Sequence, residues 1–165
     1  MIICIIYIHK NKNKRRKVVK EQKYVKYQQG DVLMLRISDN KEMLSEFERF
    51  KNNSHRKTSH SRKNPEESSV ATLALGEATG HHHSIDVMQD DNEGVEVTRY
   101  FNNWQHNSRA NQGLGNVPEY FEVVGNNATI KHQEHNPITL PSGIYRVRIV
   151  KEYDPFSGQI SGVAD

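Results

Sequence analysis

The sequence predicts a mainly β domain, a compact antiparallel β-barrel or sandwich with one short helix and long polar loops. Two observations lead there. About seven short runs rich in Val, Ile, Leu, Thr and aromatics are separated by Gly, Asn, Asp or Pro, the pattern of strands joined by turns. Only one segment carries apolar residues at helical spacing.

In chain order, Tyr27-Gln-Gln-Gly-Asp-Val-Leu-Met-Leu-Arg-Ile37 sets a Gly-Asp turn before an apolar run, which reads as a strand opened by a tight turn. Met43, Leu44, Phe47 and Phe50 then give one apolar face to a helix from Lys41 to Lys51, with Asn40 or Asp39 as its cap. Asn52 to Ser69 holds almost nothing to bury and reads as a mobile loop. Val70 to Leu75 reads as a strand, and the glycines at 76 and 80 bracket a turn or bulge. His81 to Met88 and Val95 to Phe101, with Asp90 to Gly94 as the reversal, read as a hairpin. Asn102 to Asn116 is loop-like. Tyr120 to Val124 and Ala128 to His132, joined by Gly125-Asn-Asn127, read as a second hairpin. Ile138 to Leu140, a Pro141-Ser-Gly143 turn and Ile144 to Val150 finish the sheet. Tyr145, Val147 and Ile149 share the face expected to point into the core.

Charge divides the chain. Residues 1–26 carry nine basic side chains against one acid, a net of +8, so with +3 overall the remainder stands at −5. A basic, disordered extension is therefore expected over 1–26, followed by a single β-rich domain over 27–165. The acidic body is a poor nucleic-acid binder, whereas the extension could bind anions or nucleic acid nonspecifically. Residues 1–8 are apolar but far short of the roughly 20 residues a spanning helix needs, so no transmembrane segment is expected. Their order, apolar and then basic, is the reverse of a secretory signal; a weak interfacial anchor is the alternative reading. One cysteine, Cys4, excludes an intrachain disulfide and a Cys-based zinc finger, and a reducing, cytoplasmic setting is expected. P-loop, GxGxxG, GxSxG and HExxH patterns are absent, which removes most nucleotide-fold enzymes and common hydrolases.

Histidine carries the remaining chemistry. His81 and His83 lie two apart, so on a strand they share a side while His82 faces away. His132 and His135 lie three apart and can join them only if the chain turns, which Asn136-Pro137 favours. If the two segments are neighbours, His81, His83, His132 and His135 could hold a divalent transition metal such as Zn, Fe or Mn, with Glu134 or Glu77 as base or orienting carboxylate. The plainer reading makes these histidines turn and loop residues. Asp31 reads as a catalytic carboxylate or a turn cap, and Glu152 with Tyr153 as a site-closing pair or a strand-end lid. Trp104 could stack on a ligand or anchor its loop, and Arg146 with Arg148 could hold an anion or form a solvated face.

The segments Gln29-Gly-Asp-Val32, Gly76-Glu-Ala-Thr-Gly-His-His-His83, His132-Gln-Glu-His135 with Pro137-Ile-Thr-Leu-Pro141 and Gly143-Ile-Tyr-Arg-Val147, and Glu152-Tyr-Asp-Pro155 resemble a small uncharacterised bacterial and phage-associated family. Its pattern reads QGDV, GExTGHxH, HxEHxPIxLPxGxYxV and REYxP. The resemblance covers roughly Tyr27 to Asp165 outside the two long loops; Lys151 stands where that pattern has Arg, and the first 26 residues lie outside it. It implies that His81, His83, His132 and His135 belong to one site, and it carries no established activity. The Gly-rich turn, HxH pair and later Pro-x-Gly turn also resemble a cupin, but the usual Glu after His83 is missing and Tyr145 stands where a cupin has His. Two classes of function are therefore expected: a histidine-rich metal-binding β-domain, extending to a small metalloenzyme, or a noncatalytic interaction module. The partner is a small molecule or a protein.

Overall fold

The computed structural model describes residues 25–53, 56–63, 69–75, 81–102, 117–153 and 160–162. In chain order these form β1 (Val25–Gln29), β2 (Val32–Arg36), α1 (Lys41–Asn53), β3 (Arg56–His60), β4 (Val70–Leu75), β5 (His82–Asp86), a 3-10 turn at Asp90–Asn92, and β6 (Val95–Phe101). There follow β7 (Tyr120–Gly125), β8 (Ala128–Ile130), β9 (Ile138–Leu140), β10 (Gly143–Ile149), β11 (Lys151–Tyr153) and β12 (Ile160–Gly162). Six strands make one antiparallel sheet in the order β1-β2-β10-β7-β6-β3, and β4-β5, β8-β9 and β11-β12 pair separately. The mainly β expectation holds, as an open layered sheet whose edges are β1 and β3. No helix among the described residues is long and apolar enough to cross a membrane.

Strand alternation divides the large sheet into two dressed faces. Val95, Val97, Phe121, Val123, Tyr145 and Val147 point to one side, where they pack with Leu73, Ile85, Ala128, Ile130 and Leu140 of the smaller pairs. Tyr100, Tyr120 and Ile144 point to the other side, where they meet Met43, Leu44, Phe47 and Phe50 of α1. The helix begins where expected because the Asn40 side-chain oxygen accepts from the Met43 N–H at 3.0 Å, satisfying one of the donors a first turn leaves open. Its Phe47 ring stands edge-on to Tyr100 at 5.2 Å. The Tyr145, Val147 and Ile149 face of β10 is the core face, as its alternation predicts.

Three sequence expectations are corrected. The loop read over Asn52 to Ser69 contains β3, a polar strand that pairs along β6 and buries His60. An edge strand needs backbone pairing on one side only, so its hydropathy carries little signal. β5 and β6 are not a hairpin: β5 pairs with β4, while β6 pairs with β3 and β7. Nor are β7 and β8, since β7 stays in the large sheet and β8 pairs with β9. At this second junction Gly125 adopts φ +93°, and a Cβ there would lie 2.0 Å from the Gly94 carbonyl oxygen. That close approach lets the chain leave the large sheet for the smaller layer.

Asn92 braces the layer in which β5 and β8 sit. Its amide nitrogen donates to Asp86 O at 2.9 Å and Thr129 O at 3.3 Å, and its oxygen accepts from the Thr129 N–H at 2.6 Å. With Asn92 1 % exposed, truncation would strand buried backbone groups. Asn92→Ala is expected to cost about 2–3 kcal/mol, read as a lower denaturant midpoint at unchanged slope; an unchanged midpoint would contradict this bracing.

Burial holds the Tyr145 and Tyr100 phenols well above the ordinary value near 10, and the Glu122 carboxylate that accepts the Tyr100 O–H raises that group further. A folded pKa above the unfolded one gives stability that is complete below pH ~10 and lost as pH rises beyond it. The contribution of these two phenols to the unfolding free energy should therefore be constant from neutral pH to ~9.5 and fall above pH ~10. Denaturant titrations across that range check it, and a flat profile to pH ~12 would refute it.

Candidate functional site

One reciprocal backbone bridge brings the two histidine segments together. The Ser84 N–H donates to Lys131 O at 3.0 Å, and the Lys131 N–H donates back to Ser84 O at 2.9 Å. In an antiparallel pair, the positions next to such a mutual exchange face one another without backbone bonds, and their side chains come closest. Those positions are His83 and His132. Their rings stack with centroids 4.3 Å apart and planes 24° apart. Continuing the register sets His82 against Gln133 and His81 against Glu134. The His82 N–H donates to Gln133 Oε1 at 3.0 Å, and His81 Nδ1 lies 3.4 Å from Glu134 Oε1. The His81 ring also meets His132 edge-on at 5.8 Å. As the period-two argument predicts, His81 and His83 share a side.

His135 joins because the chain bends. Residues 133–135 leave the extended conformation, and the Glu134 N–H donates to His132 Nδ1 at 3.2 Å inside that bend. The His135 ring folds back on His132, with centroids 4.6 Å apart and planes 21° apart, and lies 6.0 Å from His83. The result is a short column of imidazoles running from fully buried His83 outward to half-buried His132 and His135.

The turn between β1 and β2 closes the inner end. Gly30 takes φ +54°, a left-handed conformation suited to glycine, which lets Gly30-Asp31 join two paired strands with only two residues. Gln29 and Asp31 flank it, 4 % and 3 % exposed. Gln29 Oε1 lies 3.0 Å from His83 Nδ1, and Gln29 Nε2 donates to Asn136 O at 2.7 Å. Asp31 Oδ1 lies 3.7 Å from His83 Nε2, while its backbone oxygen accepts from the Val150 N–H at 2.8 Å. Asp31 is thus a buried carboxylate facing an imidazole as well as a turn residue. Sequence reasoning passed over Gln29; its signal is its place beside Gly30 in the Gln-Gly-Asp turn.

Two stacked imidazoles cannot serve one ion as they stand, because a bound ion lies in the plane of each ring at about 2.0–2.1 Å from nitrogen. Planes tilted by only 18–24° and set several ångströms apart meet far beyond that distance. Accordingly, no three His, Cys, Asp or Glu side chains among the described residues form a ready-made metal site. The four predicted histidines and Glu134 are assembled, but His83, His132 and His135 lie as a stack, with His81 edge-on to His132 and beside Glu134. Glu77 and Trp104 lie outside the described residues, as do residues 1–24 and the side chains of Glu152 and Tyr153. Arg146 donates to Glu119 at 3.0 Å and Glu46 at 3.3 Å, so carboxylates of this chain already hold it.

The stack should be energetically coupled. In a double-mutant cycle of His83→Ala and His132→Ala, run with chelator present, the interaction energy is expected at about 0.5–1.5 kcal/mol, the range for ring pairs in contact. Strict additivity would show that these rings do not pack together.

No curated protein and no solved structure matches the chain. The sequence model described as a domain of unknown function (DUF8820) matches residues 28–150. That span contains Gln29, Asp31, both histidine segments and the bridge between them, and leaves residues 1–26 outside. The chain belongs to the DUF8820 family.

Proposed function

We propose that this domain binds one divalent transition-metal ion between Asp31 and His83, with His132 and His135 turning to complete the ligand set. His81, whose Nδ1 lies 3.4 Å from Glu134 Oε1, is the fourth imidazole at the more exposed end. The observation that carries the reading is the 3.7 Å separation of His83 Nε2 from Asp31 Oδ1, with both side chains shut away from solvent. This exceeds hydrogen-bond distance. It lies close to the ~3.3–3.5 Å that separates a nitrogen and an oxygen ligand on a tetrahedral ion. A positive charge between the two also offsets the cost of burying a carboxylate.

Magnitudes favour opening the stack. Rotation of an imidazole about its outer side-chain bond crosses only a broad, shallow profile, and an unstacked ring pair gives up about 0.5–1.5 kcal/mol. Apparent zinc-binding energies in small structural sites are about 10–16 kcal/mol. His132 and His135 are half-buried, less enclosed than His83. Imidazole with carboxylate suits Zn, Fe or Mn better than Mg or Ca. Glu134, half exposed, orients His81 and is the candidate general base for water activated on the ion, the metalloenzyme extension of this reading.

Untagged full-length protein is expected to take up about one equivalent of zinc by calorimetric titration and elemental analysis, and to melt at a higher temperature when loaded. His83→Ala and Asp31→Asn should each weaken binding more than ~100-fold, beyond what loss of an orienting partner costs. Wild-type protein that takes up no Zn, Fe(II) or Mn, with melting unchanged in excess metal, would refute the reading and favour a noncatalytic interaction module.

A further inference from the structure

We infer that Gln29 is a positioning residue that fixes the tautomer of His83 and thereby decides which ring nitrogen the domain presents to an ion. The statement about the tautomer stands on hydrogen-bond chemistry alone; its consequence for the ion rests on the metal-binding reading above.

The Asn136 backbone oxygen can only accept, and it lies 2.7 Å from one end of the Gln29 side-chain amide, so that end is the NH2 group. The other end, 3.0 Å from His83 Nδ1, is then the amide oxygen, which also can only accept. His83 must therefore donate, and Nδ1 carries the proton. A neutral imidazole has one N–H, so the lone pair falls on Nε2, the nitrogen 3.7 Å from Asp31 Oδ1. In water the Nε2–H form is the commoner one, so Gln29 reverses the ring's own preference.

The same amide links three stretches of sequence. It joins the β1-β2 turn, which supplies Asp31, to β5, which supplies His83, and to the residue after His135. Loss of Gln29 would release the tautomer and loosen the bend that carries His132 and His135. Partners of this kind, which hold the far nitrogen of a ligating histidine, typically contribute about 10–100-fold to metal affinity.

The test uses full-length protein with 15N-labelled imidazoles, chelator-treated and held well above the ordinary imidazole pKa of about 6.5. Two-bond NMR correlations should show His83 as the Nδ1–H tautomer in wild type. Gln29→Glu, which still accepts, should keep it, and Gln29→Met, which preserves volume but cannot accept, should shift it toward Nε2–H. Zinc titration should then find Gln29→Met weaker by about 10–100-fold and Gln29→Glu weakened less, since it keeps the acceptor for His83 and loses only the donor to Asn136. An Nε2–H His83 in wild type overturns the inference whatever the metal result, and that spectrum needs no variant to fold. Nδ1–H persisting in Gln29→Met also overturns it. A lost tautomer with unchanged zinc affinity overturns the consequence for the ion, as does wild-type protein that takes up none of Zn, Fe(II) and Mn; only the latter also ends the metal-binding reading.

Discussion

The candidate site depends on two hydrogen bonds, the exchange between Ser84 and Lys131. β4-β5 and β8-β9 are each short, and this bridge joins them edge to edge into one layer that faces the large sheet across the core, with α1 on that sheet's other side. Because the exchange fixes an antiparallel register, it also fixes the opposition of His83 with His132 and His81 with Glu134. A shift of one residue would turn His83 away from the core and replace an imidazole pair with unrelated neighbours. The chemistry of the site is therefore specified by backbone pairing before any side chain interacts.

Burial then grades the column. Its inner end is closed by the two-residue Gly30-Asp31 turn, where the side chains of Asp31 and the preceding Gln29 are themselves buried. Its outer end lies in a bend of exposed and half-buried residues ahead of Pro137. Rigid strands hold His83, a tight turn holds Asp31, and a less regular segment carries His132 and His135. Such an arrangement places one imidazole and one carboxylate on regular, buried elements and two further rings on the bend. The large sheet reaches the column only through Gln29 and the β1-β2 turn, and α1 packs away from it: Phe47, Tyr100 and Tyr120 lie on the far face of that sheet.

Much of this could be read from the sequence wherever local chemistry dictates structure. The helix was legible through Met43, Leu44, Phe47 and Phe50 with the Asn40 cap, and the β10 core face through alternation about Tyr145 and Val147. The shared side of His81 and His83 and the need for a bend before Pro137 were legible for the same reason. What was not legible is partner choice. β3 is polar because it is an edge, so hydropathy does not mark it. The turn residues after β5 and β7 signal reversal, yet both chains cross to another layer, and long-range packing, not turn chemistry, selects the mate. Gln29 escaped because its role appears only once His83 and Asn136, distant in sequence, flank its amide.

The central claim is that these converging imidazoles and Asp31 constitute an ion site. X-ray absorption at the zinc edge, on full-length protein loaded with one equivalent, addresses it most directly. The account predicts a shell of four or so nitrogen and oxygen ligands near 2.0–2.1 Å, with the outer-shell scattering of at least two imidazoles. A shell of water oxygens without imidazole scattering would contradict it.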